Sequence, residues 1–382
     1  MDTKQKQRVA LSSFFLLSGI CFSSWASRIP TLKDQYQLSD DVLGSLLITM
    51  PASALIGIPL SGWLISKYDS RIPLRYASFL FIASLLAIGF TNSLWTVIAA
   101  LVVFSIALRV INISINTQSI SLQEKFTKKI VGSFHAIWSM GGILGVLIST
   151  LMLHFEISME WHFVTIALLG IIIIFSAYPH LIQKDKAASG GGFKLGKPSR
   201  YIMLLGLLVF FAAVCEGGMY DWNGVYFKEV VKAELYTFGY LLFMICMTIS
   251  RLSIDKLIEH FSIQTLYMAS SICVMLGISI AILFPVFWVA LIGFCLVGFG
   301  ISSLFPMTYM LTSKAKKYSV GIVISIVSTY STVGLFIGPP IIGYLSELFG
   351  LQNAFITFLI AGFMFIPLSM LTFKEIKKME NT

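Results

Sequence analysis

The chain has 382 residues, of which 57% are hydrophobic and only 12% charged, with a mean hydropathy of +0.87. That composition excludes a soluble globular protein, and apolar runs near 20 residues, the length that spans ~30 Å of hydrocarbon, recur throughout. The formal net charge is +9, but Lys and Arg cluster in short loops between apolar runs, where they set membrane orientation and do not point to nucleic acid.

Twelve spans follow in chain order, at about 9–30, 42–65, 74–92, 94–119, 131–153, 162–182, 201–227, 235–254, 265–283, 286–311, 320–345 and 352–373. The runs are continuous, unlike the short alternating strands of a membrane barrel. The basic start followed by an apolar run mimics a secretory signal. No small-residue cleavage site follows, so it is expected to remain as a first helix. The five cysteines lie within apolar runs without CxxC spacing and are expected as reduced packing residues.

Loop charge alternates. Lys4, Lys6 and Arg8 precede the first span; Lys67, Arg71 and Arg75 follow the second; Lys125, Lys128 and Lys129 follow the fourth. The pattern continues to Lys374, Lys377 and Lys378, while the opposite loops hold only Lys33, Lys228 and Lys232. This asymmetry predicts an even number of spans with both termini in the cytoplasm, and hence a multi-pass protein of the inner membrane. The longest loop, "QKDKAASGGGFKLGKPSR" at 183–200, is basic and Gly-rich. It reads as a cytoplasmic linker between bundles at 1–182 and 201–382. A weak internal echo links "SMGGILG" (139–145) with "STVGLFIG" (331–338), small residues at a spacing that lets helices pack closely. The fold class expected is therefore all-α, with 12 transmembrane helices in two pseudo-symmetric six-helix bundles.

Ionisable groups inside such spans cost about 2.5–3.5 kcal/mol each, so each needs a reason. Arg28 lies near the outer end of the first span, Arg109 in the inner half of the fourth and His135 near the inner end of the fifth. Glu216 and Asp221 lie in the seventh and Arg251 near the inner end of the eighth. Arg109, Asn112 and Asn116 share one helix face, as do Glu216, Tyr220 and Asn223. Asp221 points about 140° away from Glu216, so the two carboxylates are expected to do different jobs. Glu216 would face the solute path, while Asp221 and Trp222 brace the outer part of the helix. Arg251 and Asp255, at i and i+4, form an expected structural or gating pair. Arg28 could equally snorkel to headgroups, Glu216 could be a neutral helix-gluing donor, and Trp25, Trp138 and Trp222 could be cavity aromatics or plain packing.

The stretches "WASRIP" (25–30), "INISINTQ" (111–118), "SFHAIWSMGG" (133–142), "EGGMYDWN" (216–223) and "GPPIIGYLSELFG" (338–350) carry a resemblance. Together they resemble the major facilitator superfamily over the whole chain, and within it the YbjJ-like group that includes the rhizopine-transport protein MosC. The resemblance implies a cavity lined by spans 1, 4, 7 and 10, and uptake or efflux of a small polar solute. The superfamily's loop between spans 2 and 3 usually reads G-x-x-x-D-R-x-G-R-[RK]. Here it is "GWLISKYDSR", with Ser66 at the Asp position and Asp69 at the Gly position.

The expected function is secondary active transport of a sugar-, sugar-acid- or cyclitol-like solute by alternating access, coupled to protons, in a monomer without cofactor or metal. Candidate solute-binding groups are Arg28, Arg109, Asn112, Asn116, Gln118, Glu216, Tyr220 and Asn223. Amides and a phenol suit hydroxyl-rich solutes, and arginines suit acids. Glu216 and Asp221 are the proton-coupling candidates. Glu216 is expected to respond to its distance from Arg109. His135, Arg71, Arg251 and Asp255 are the gating candidates. A multidrug or lipid exporter on the same fold and a membrane-embedded hydrolase are the alternatives. No HExxH, GxSxG or P-loop supports the hydrolase.

Overall fold

The computed structural model describes residues 2–127, 130–183, 185, 198–315 and 320–380, with the side chains of 255, 320, 321 and 325 outside that description. The described residues form helices and no strand. The first span is α1 (Thr3–Ser27) with α2 (Ile29–Gln35), and the second is α3 (Asp40–Leu47) with α4 (Thr49–Lys67). Then come α5 (Arg71–Phe90), α6 (Leu94–Gln123), α7 (Val131–His154) and α8 (Met159–Ala177). The later spans are α9 (Arg200–Glu229), α10 (Thr237–His260), α11 (Ile263–Leu283), and α12 (Phe287–Ser302) with α13 (Leu304–Leu311). Last are α14 (Val320–Phe349), and α15 (Leu351–Ala354) with α16 (Ile356–Glu380). Twelve segments are long and apolar enough to cross a membrane.

Four spans expected as single helices are broken, and proline explains three of the breaks; the fourth, at Phe355 between α15 and α16, has no proline beside it. Pro51 and Pro306 stand in the first turns of α4 and α13, and the helix restarts two residues before each, after Ile48 and Ser303. Pro30 does the same for α2, after Arg28. A proline ring clashes with the carbonyl four residues back and offers no N–H, but it fits a helix's first turn, where that N–H has no intrahelical partner anyway. Pro59, Pro339, Pro340 and Pro367 lie inside helices.

The chain divides into two compact units, Met1–Tyr36 with Thr49–Gly192, and Gln37–Ile48 with Phe193–Thr382. Their main boundary falls within the expected linker. The exception is α3, which belongs to the second unit. There Gly44 lies against Gly343 of α14, Ser45 Oγ is 3.1 Å from Tyr344 Oη, and Asp40 accepts a hydrogen bond from Ser346.

The internal echo has a structural meaning. In the first unit, a Cβ on Gly141 of α7 would collide with the Leu16 carbonyl of α1, and one on Gly145 would lie 2.6 Å from the Ile20 carbonyl oxygen. In the second unit, a Cβ on Gly334 of α14 would collide with the Phe210 carbonyl of α9, and one on Gly338 would lie 3.2 Å from the Val214 oxygen. The fifth span thus presses on the first as the eleventh presses on the seventh. Overpacking typically costs about 1–3 kcal/mol, and here the obstacle is backbone that cannot rotate away. Gly141→Val and Gly334→Val are each expected to lower the thermal unfolding midpoint. Gly62→Ala and Gly132→Ala, with nothing within 4 Å of the added carbon, should leave it within experimental scatter.

Candidate functional site

In the second unit, α9 turns Glu216, Tyr220, Asn223 and Phe227 toward α10. Glu216 is 9% exposed and Tyr220 equally so. The Tyr220 hydroxyl donates to Glu216 Oε1 at 2.8 Å, the i, i+4 contact expected from helical spacing. Arg251 Nη2 of α10 donates to the same oxygen at 2.7 Å, a charge-assisted bond. Met247, one turn before Arg251, lies with its sulfur 3.5 Å from the Tyr220 hydroxyl. Tyr240 and Phe243 meet the Tyr220 ring edge-on, with centroids 6.0 Å away. The base beside Glu216 is thus Arg251 of the neighbouring helix. The expected Arg251–Asp255 pair involves a side chain that lies outside the described residues.

The two carboxylates of α9 diverge. Trp222 is the brace: it is fully buried and its Nε1 donates to the Pro339 carbonyl of α14 at 3.2 Å. Asp221 shares the stripe of Phe210, Val214 and Gly217 that faces α14. It is half-buried and has no hydrogen-bond or ion-pair partner among the described residues. Asn223 is fully buried, its carboxamide close to Gly239 beside Phe227 and without a hydrogen-bond partner among the described residues. Buried so, it does not reach a solute in this conformation.

In the first unit, Arg109, Asn112 and Asn116 lie half-buried along one face of α6. The Asn116 amide nitrogen donates back to the Asn112 carbonyl at 2.7 Å, leaving its oxygen to accept. The stem of Arg109 packs where α4 has a glycine: a Cβ on Gly57 would lie 2.9 Å from the Arg109 Cβ. The Arg109 guanidinium forms no hydrogen bond or ion pair with any described residue.

Two other solute-binding candidates are already committed to the fold. Arg28 is 2% exposed. Its Nε donates to His162 Nδ1 of α8 at 3.1 Å and its Nη2 to the Ile157 carbonyl at 2.9 Å, tying the end of α1 to the α7–α8 connection. Gln118 donates to Ser70 Oγ (2.7 Å), the Ile182 carbonyl (3.0 Å) and Asp185 (2.8 Å), and accepts from the Ile182 N–H (3.0 Å). Both amide hydrogens are thus committed within the protein, and the side chain is buried. His135 is exposed, with its ring edge-on to Phe15, and Arg71 lies 4.0 Å from Asp69 and over Tyr178. His162, Ser70 and Asp185 were not foreseen. His162 carried the available signal, an ionisable group at the start of an apolar span.

A family model of the Major Facilitator Superfamily matches residues 10–317. The chain belongs to that superfamily. It is 27% identical over 360 residues to the membrane protein MosC of Rhizobium meliloti, covering 92% of this chain and 87% of MosC. It is also 27% identical over 351 residues to an uncharacterized MFS-type transporter of Yersinia pestis, covering 91% of each. Among solved structures it shares the fold of a bacterial homolog of the human lysosomal transporter Spinster in its inward-facing, unoccupied form. There the TM-score is 0.78 at 12% identity, over 99% of this chain and 98% of that one. The nucleoside transporter NupG matches with a TM-score of 0.73 at 14% identity, over 98% of this chain and 99% of that one. Membership makes the chain a multi-pass membrane transporter.

The Glu216–Arg251 pair is asymmetric: the acid is nearly enclosed, while the Arg251 side chain keeps 31% of its surface. Removing the base strands a buried carboxylate, which breaking a buried pair can make cost about 3–5 kcal/mol. Removing the acid's charge frees an arginine that can still reach water. Arg251→Gln is therefore expected to lower the unfolding midpoint more than Glu216→Gln. The double variant should be less destabilised than the sum of the two.

Proposed function

We propose that this transporter carries a small, hydroxyl-rich, acidic solute of the sugar-acid kind by proton-coupled alternating access, with neutral sugars and cyclitols as weaker substrates. The observation that carries the reading is Arg109. A guanidinium held within a transmembrane helix without an internal anion is costly, and a carboxylate ligand would supply two parallel charge-assisted bonds. Asn112 and Asn116, one and two turns along the same face, offer amide groups that donate to and accept from hydroxyls.

Coupling is assigned to Glu216. A proton and the Arg251 guanidinium compete for the same carboxylate, and Tyr220 holds that carboxylate in place for either. Any step that draws α10 away from α9 exchanges arginine for proton. Asp221, without a partner among the described residues, is a second protonation site. The protein would work as a monomer in the inner membrane with both termini cytoplasmic, as the loop charges favour.

A thermal-shift screen of sugars, sugar acids, cyclitols and amino sugars on the purified protein should give its largest stabilisation with an acid, since a bound solute stabilises by linkage. Arg109→Gln should lose that shift while keeping the midpoint of the free protein. Equal shifts for the acid in wild type and Arg109→Gln would remove the arginine from recognition. In proteoliposomes, Glu216→Gln should equilibrate the solute but not concentrate it on a pH gradient. Accumulation by that variant would move the coupling site elsewhere.

A further inference from the structure

Where α4 ends and α5 begins, three cations lie close together, and each has aromatic rings beside it. Lys67 Nζ is 5.0 Å from the Trp63 ring centre and 5.5 Å from that of Tyr68. The Arg75 guanidinium is 4.7 Å from the Tyr178 ring centre, and one of its nitrogens donates to Tyr76 Oη at 2.9 Å. Arg71 lies 5.8 Å from the same Tyr178 ring. Trp63 and Tyr76 are 53% and 56% exposed.

Acid to balance this charge is scarce. Asp69 is 4.0 Å from Arg71 Nε, beyond hydrogen-bonding distance, and that buried nitrogen has no hydrogen-bond partner among the described residues. Asp185 is already committed: it accepts from the Ser70 N–H at 2.9 Å, from the Ser70 hydroxyl and from Gln118. It therefore closes the N-terminus of α5 and is not available to the arginines. The loop also has Ser66 where the resemblance led us to expect an aspartate. The cations are thus left with rings for neighbours and few anions.

We infer that this patch seats the phosphate of an anionic phospholipid. A guanidinium stacked on a ring still presents N–H groups at its edge, which suits phosphate oxygens. Exposed Trp and Tyr at the end of a span suit the glycerol and upper acyl region. Basic sites between helix ends recognise anionic headgroups by the same chemistry. The exposed aromatic flank favours a lipid over a soluble anion, which would leave Trp63 and Tyr76 unused.

The test uses the full chain in detergent micelles, titrated with phosphatidylglycerol, phosphatidylcholine or inorganic phosphate. Phosphatidylglycerol should raise the unfolding midpoint by about 1–2 °C more than phosphatidylcholine. The Arg71→Gln/Arg75→Gln variant should lose most of that difference. Lys377→Gln/Lys378→Gln, a charge-matched change on α16, should keep it. If the arginine double variant does not fold, Arg75→Gln alone is compared with wild type by native mass spectrometry, counting retained phosphatidylglycerol. An undiminished lipid shift or lipid count in the arginine variants overturns the assignment. So does inorganic phosphate reproducing the wild-type shift, which would make the patch a site for a soluble anion.

Discussion

Hydrocarbon offers no water to satisfy a polar group, so each one within a span must find its partner inside the protein. The backbone meets this demand by being helical. Buried hydroxyls meet it one turn back: Ser78 donates to the Leu74 carbonyl, Thr150 to Val146, Thr248 to Met244 and Thr308 to Leu304. Larger polar side chains meet it across helices, as Arg28 does through His162 and Ile157. Against this background, a side chain that does not meet the demand is informative. Arg109 and Asp221 are the ionisable groups of this kind in the middle of α6 and α9.

The same solvent removes the hydrophobic drive for helices to associate with one another, so close packing has to hold them. The two units solve this alike. Glycines of α7 against carbonyls of α1, and of α14 against carbonyls of α9, bring backbones near enough for dispersion to act over a long seam. The second seam bears directly on the site. It fixes the rotation of α9 from Phe210 to Val214, and Trp222 extends the hold to Pro339. With that face committed to α14, Glu216 and Tyr220 are turned to α10.

Much of this was legible in the sequence because hydropathy and helical spacing are one-dimensional signals. Span positions and the glycine echo are of that kind, and so is the Glu216–Tyr220 contact. The prolines at 30, 51 and 306 were equally visible, yet the hydropathy of their neighbours masked the breaks. What spacing does not contain is the identity of the residue opposite. Spacing points from Arg251 to Asp255 on its own helix, and nothing in it points to Glu216, 35 positions distant, which the arginine meets across helices. Gln118 sits on a helix of polar candidates, and only the approach of Ser70 and Asp185 shows that its amide hydrogens are committed. Asn223 shares a stripe with Glu216 but is fully buried beside Gly239 and Phe227.

The shape of α4 bears on whether Arg109 is incidental. A long cation can be accommodated in a span if its stem has room and its head finds water or an anion. At Gly57 the room is provided: a single added carbon would lie 2.9 Å from the Arg109 Cβ and 3.1 Å from its Cγ. Helix α4 therefore passes the arginine at its narrowest possible point, and the guanidinium has no partner among the described residues. A fold that merely tolerated the charge would place a carboxylate within reach, as α9 does for Arg251. Among the described residues, one arginine is neutralised by Glu216 and one is given space but no counter-ion, and that contrast supports the proposal that Arg109 meets the solute.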